Sequence, residues 1–231
     1  EGEGEGEGEG NGEGNGEGNG EGNGEGEEKE EEEVVEEEEE EEEEGKKIVK
    51  KSVRLLMAAK EKFFREKERM IRVCFVGKGR QQRSVAANFR LSLEDKDVQT
   101  EFQESSQARM ALYSLIRTGD EKTLRDALRA CAIVATLGDT LRIEMDGLDV
   151  VERCISYLHH KDKHVRSAAA ILAANVGMTS QVLVNMFDHF DLSSSAVSFL
   201  SDQTEEICVS GTRIMHLFGL LEDEALRTKC V

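Results

Sequence analysis

The 231-residue chain has no proline and no tryptophan, and aromatic residues make up only 5% of it. Without proline no ring locks φ or removes a backbone donor, so helices run until glycine or turn chemistry stops them. No apolar run approaches the ~18 residues that a membrane-spanning helix needs. The five cysteines (Cys74, Cys131, Cys154, Cys208 and Cys230) form no CxxC pair. Cys131, Cys154 and Cys208 fall inside apolar helical patterns. They read as reduced, buried small hydrophobes, which predicts an intracellular protein, cytoplasmic or nuclear. The terminus TKCV has its cysteine second from the end, so it is no prenylation box, and Lys229 stands where a carboxylate-captured tail carries Ser or Thr. The chain begins at Glu1 rather than Met, which leaves a signal upstream of it open.

Catalytic signatures are missing too. "GKGRQQRS" (77–84) lacks the GxxxxGK[ST] spacing of a phosphate-binding loop. His189 and His216 stand alone, and the candidate nucleophiles sit in apolar stripes, so no Ser-His-Asp or Cys-His set can be placed. In "HHKDKH", His160 and His164 are four apart, as a zinc pair on one helix would be, but they flank an expected turn. The prediction is a non-enzyme with no catalytic residues, no metal site and no cofactor.

Charge is present in blocks. Residues 1–45 hold 24 Glu against one Lys, net −23; residues 46–90 hold 15 Lys and Arg against three Glu, net +12; the remainder is net −8. Glycine at every even position through residue 26, with repelling glutamates between, predicts a disordered acidic tail over 1–45. Like-charge repulsion opposes a helix in the Glu tract 27–44 despite glutamate's good propensity. This tail is a solvated spacer, a lure for a basic partner, or a lid on the basic segment that follows.

That segment (46–76) is a basic amphipathic helix. Val49, Val53, Leu56, Phe63, Met70 and Cys74 make one stripe, and Lys46, Lys47, Lys50, Lys51, Arg54, Lys60, Lys62 and Arg65 lie elsewhere on it. Lys60 and Lys67 interrupt the heptad companions, so a sustained coiled coil is not expected. The helix either caps a helical stack or contacts an anionic membrane, a calmodulin-like protein or nucleic acid, with the acidic tail masking it. Residues 77–102 read as a linker or short helix.

From 103 onward helical pairs recur. Asp120 and a turn "HHKDK" precede the stripes Leu124, Ala127, Leu128, Cys131, Val134 and Val165, Ala168, Ala169, Leu172, Val176. A looser third copy ends at Phe218. Val134, Val176 and Phe218 stand 42 residues apart, the period of a helical solenoid. A two- or three-helix unit that is apolar on both sides must be buried by its neighbours.

One copy resembles an armadillo repeat: Gly147, a helix to Leu158, Asp162 in the turn, Val165, the pair Ala168-Ala169, Leu172 and Asn175, with "TLRIEMD" as the short first helix. HEAT repeats fit nearly as well. The resemblance implies an all-α fold: about three repeats over 103–231 in a short right-handed armadillo-like α-solenoid, preceded by the acidic tail and the basic helix. It also implies a non-catalytic scaffold or adaptor that grips an extended peptide, with Asn175 pairing the peptide backbone. By helical phase Ser167 and Ile171 share that face. The neighbouring copies supply Arg125, Arg129 and Thr136, then Ser210 and Arg213. Arginine on such a wall implies an acidic or phosphorylated ligand.

Overall fold

A computed structural model describes residues 27–190 and 192–220, with side chains from residue 46 onward. The tail 1–26 and the TKCV terminus lie outside the described residues. The chain divides into two units, Glu1–Val49 and Lys50–Val231. The described part of the first is the start of α1 (Glu27–Val76), which begins within the glutamate tract. Repulsion there is countered by glutamate's propensity and by the preference for negative charge at a helix N-terminus.

The second unit holds the rest of α1 and then α2 (Arg80–Ser92), α3 (Lys96–Glu104), α4 (Ser106–Leu115) and α5 (Glu121–Ala135). After them come α6 (Asp139–Gly147), α7 (Val150–Ser156) with a 3₁₀ turn at Tyr157–His159, α8 (Lys163–Val176), α9 (Ser180–Phe190), α10 (Leu192–Phe199) and α11 (Glu205–Gly219). No strand occurs among the described residues. Three layers of three helices result: α3-α4-α5, α6-α7-α8 and α9-α10-α11. The end of α1 and α2 form an incomplete layer in front of them.

Side chains set the helix starts. Asp95 accepts from the amides of Asp97 and Val98, Ser105 from Ala108, Asp120 from Thr123, and Asp162 from His164 and Val165. Each satisfies donors that the first turn leaves unpaired. The sharp turn into α7 falls on Asp149, whose φ of 61° is left-handed, and not on Gly147, which ends α6. A short polar side chain makes that conformation tolerable.

The repeat reaches further forward than the sequence pattern suggests, with the first step one residue shorter. Leu93, 41 residues before Val134, joins Val134, Val176 and Phe218 as a buried residue at the end of each third helix. Ala86, Ala127, Ala169 and Gly211 form a second row with the same 41-, 42- and 42-residue steps. A Cβ added at Gly211 would stand 2.7 Å from that of Phe199.

Residues 77–102 are therefore not a linker. They contain α2 and α3, and Val85, Phe89, Leu93, Val98 and Phe102 are buried. Phe63 of α1, Phe89 and Phe102 form a three-ring cluster, with centroids 5.4–6.1 Å apart. Such contacts contribute about 0.5–1.5 kcal/mol per pair beyond area burial. Lys60 adds bonds to Asp95 (3.0 Å) and Asp97 (2.6 Å), and Lys67 to Glu101 (2.7 Å). From Ala59 onward the basic helix thus covers the first layer, as a solenoid end requires.

Candidate functional site

The third helices α2, α5, α8 and α11 pack side by side in chain order and form one wall. An open groove of about 330 Å³ runs over it, with Ile133 and Ile171 on its floor and Arg90, Arg129, Glu94 and Glu206 among its polar lining. Ala132, Thr136 and Asn175 complete it.

The wall collects the residues singled out by helical phase. Ser167, Ile171 and Asn175 follow one another on α8 at four-residue spacing, which puts them on one stripe. Arg125 and Arg129 lie on α5, and Ser210 and Arg213 on α11. Thr136 is the C-cap of α5 and bonds back to the carbonyl of Ile133 (2.7 Å). The 42-residue offset puts Ile133, not Thr136, level with Asn175.

Asn175 is buried, at 6% exposure. Its Nδ2 donates to the carbonyl of Ala132 on α5 (2.8 Å), and its Oδ1 accepts from Arg213 on α11 (2.8 Å). The Ala132 carbonyl lies in a last helical turn, where the helix itself supplies no donor. The amide therefore joins three third helices, and a peptide using it would have to displace one of those partners.

The charges are arranged in pairs. Asp126, 5% exposed, lies 3.3 Å from Arg90 and 3.4 Å from Arg125. Arg129 approaches Glu206 at 3.2 and 3.4 Å, and Ser167 donates to the same carboxylate. Arg213 also reaches the sulfur of Met178 (3.1 Å). Ser210 is turned inward onto the carbonyl of Glu206 (2.7 Å). Three arginines, Arg90, Arg125 and Arg129, thus meet two acids, Asp126 and Glu206. Helical phase misses Arg90 and Glu206, because the first lies in the stretch read as linker and the second in the polar start of α11.

Lys60 is committed to the fold. Lys62 lines a second groove of about 450 Å³ between α1 and α2, and Arg65 lies 3.9 Å from Glu66. Lys50, Lys51 and Arg54 are exposed; so are Lys46 and Lys47, which belong to the first unit. No helix among the described residues is long and apolar enough to cross a membrane.

The histidine-rich stretch is accounted for by its turn. Asp162 caps α8, His160 Nδ1 accepts from the Asp162 amide (3.1 Å), and Arg166 holds the carbonyls of His160 and Lys161. Among the described residues, no three His, Cys, Asp or Glu side chains are grouped to hold a metal ion. His159 does reach Ser195 (3.2 Å), but that serine is 5% exposed and joins the 3₁₀ turn to α10.

This geometry is that of an armadillo-like α-solenoid. No protein-family model matches the chain, and no curated protein matches it. Solved structures do. A designed armadillo repeat protein in complex with the peptide (KR)4 is 14% identical, with a TM-score of 0.65 over 78% of each chain. Two engineered proteins are 18% and 17% identical, with TM-scores of 0.59 and 0.62. The alignments cover 65% and 71% of this chain, but only 61% of the first engineered protein and 67% of the second. At these identities the likeness defines the fold.

Proposed function

We propose that this protein is a non-catalytic peptide-binding scaffold that takes an extended acidic segment along the groove of α2, α5, α8 and α11. The observation that carries the reading is the lining of that groove: Arg90 and Arg129, with Glu94 and Glu206 among them, beside an apolar floor on a wall built from four repeated helices. The designed armadillo relative holds a basic peptide; the arginines here favour the opposite charge. Guanidinium groups bind carboxylates through paired N–H donors, with geometry as well as charge. The engagement of Asn175 within the wall shifts the grip from that amide to Arg90 and Arg129. A phosphorylated segment is the variant of this reading in which phosphate replaces carboxylate.

The test uses the full chain and three labelled ten-residue peptides, (Glu-Ser)5, (Gln-Ser)5 and (Lys-Ser)5, in fluorescence anisotropy. The acidic peptide should bind best and weaken with added salt. Arg129→Gln should lower its affinity about three- to tenfold, the loss of one charge-assisted bond. Equal binding of all three peptides, or a preference for the lysine peptide, would refute the reading.

A further inference from the structure

Glu206 sits in the first turn of α11, yet its carboxylate is held by two other third helices. Arg129 of α5, 77 residues away, approaches it at 3.2 and 3.4 Å, and Ser167 of α8, 39 residues away, donates its hydroxyl. Ser167 is 1% exposed, so its hydroxyl reaches the surface of the wall only through this bond. Arg129 Nε is buried and has no hydrogen-bond partner, so the grip on the carboxylate comes from the Nη2 end of the guanidinium. The Glu206 side chain itself is 52% exposed.

We propose that Arg129 and Ser167 form a seat for one Asp or Glu side chain of the partner, and that Glu206 fills this seat when no partner is bound. The proposal rests on the acidic-peptide reading above and names the group recognised. Three features separate a stand-in from an ordinary structural bridge. The carboxylate lies in the groove where a ligand would run, beside Ile133 and Ile171. It has an alternative resting place, since a negative charge in the first turn is favoured by the helix N-terminus and by water. And the contact is weak enough to exchange: an ion pair this exposed favours its closed arrangement by a factor of about two to five.

A seat closed by that factor lowers apparent affinity by the fraction left open, so emptying it tightens binding about three- to sixfold. Glu206→Gln removes the charge and keeps the size. It should lower the Kd for (Glu-Ser)5 by about that factor and leave (Gln-Ser)5 unaffected. Glu205→Gln, the neighbouring acid in the same turn, removes equal charge outside the seat and should have much less effect. Glu206→Asp keeps the charge but shortens the reach, and should also tighten binding. Adding Ser167→Ala to Glu206→Gln should cancel part of the gain, because the hydroxyl then has nothing to offer the ligand. Thermal melting of each variant confirms that it is folded.

Equal gains from Glu205→Gln and Glu206→Gln would mean a general charge effect and would overturn the seat. So would an unchanged or weaker Kd for Glu206→Gln while the wild type binds the acidic peptide normally. That outcome leaves the acidic-peptide reading intact. A larger gain for a phosphoserine peptide than for (Glu-Ser)5 would overturn the carboxylate assignment. Binding by Glu206→Gln where the wild type shows none would support both readings, and no binding by either would remove both.

Discussion

Replacing Arg109 with Met should loosen the first complete layer of the solenoid. Arg109 on α4 is 8% exposed, and its guanidinium makes four bonds. Two go to the Glu144 carboxylate on α6, both at 2.8 Å. The other two go to the carbonyls of Phe102 (2.9 Å) and Gln103 (2.7 Å), in the last turn of α3. Those carbonyls have no donor within their own helix. Methionine keeps most of the apolar stem and removes every bond. Breaking a fully buried pair costs about 3–5 kcal/mol. The Glu144 side chain is 25% exposed and can rehydrate in part, so the cost here is about 2–3 kcal/mol. In a chain of this size each kcal/mol moves the melting temperature by about 2–4 °C, giving a drop of about 4–12 °C. Urea unfolding followed by far-UV circular dichroism reads both the midpoint and the slope. Arg109→Lys should recover little, because an ammonium cannot hold a carboxylate and two carbonyls in one plane. A loss below about 0.5 kcal/mol with an unchanged slope would refute the argument that this guanidinium couples α3, α4 and α6.

Three other perturbations test the packing and the electrostatics. Phe89→Ala empties the centre of the three-ring cluster; it should cost about 3–5 kcal/mol and speed tryptic cleavage within residues 46–72 as α1 loosens, both measurable on one sample. Asp120 is held below the usual carboxylate range by Arg83 first and then Thr123. A depressed folded pKa means that its contribution is complete above the unfolded value of ~3.9 and is lost as pH falls through the folded one. Asp120→Asn keeps a capping side chain, so it should flatten the stability loss in that acid range without abolishing folding; an unaltered acid profile would contradict the pairing. Burial pushes the Cys74 thiol up to about 12 and raises those of Cys131 and Cys154 as well. All three should resist a thiol reagent at pH 8 in the native protein and react once it is unfolded; rapid native labelling of any of them would place it nearer the surface than 2% exposure allows.

Much of the scaffold is legible along the chain. The armadillo resemblance implies the short helix at "TLRIEMD", Asp120 and Asp162 mark the starts of α5 and α8, and the layer spacing follows from Val134, Val176 and Phe218. The first layer is not legible in the same way. Phe89 and Phe102 sit among glutamines, arginines and acids, and their stripes are too short for periodicity to stand out. Only their contact with Phe63 shows that 77–102 belongs to the stack and that the later half of the basic helix is its cover. The same holds at the groove. Ser167, Ile171 and Asn175 are placed on one stripe by four-residue spacing, but that spacing does not show whether Asn175 faces a ligand or two neighbouring helices.

The sequence by itself determined the paired helices after residue 103, the residues that start α5 and α8, the repeat length and the segregation of charge, because these depend on neighbours within one or two turns or on simple recurrence. The tertiary structure alone decided that Asn175 bonds residues 43 and 38 positions away, and that Glu206 lies against Arg129 and Ser167. Partners so distant in the chain meet only once the layers have stacked, and the repeat length sets which helices become neighbours without setting which polar side chains across them will pair.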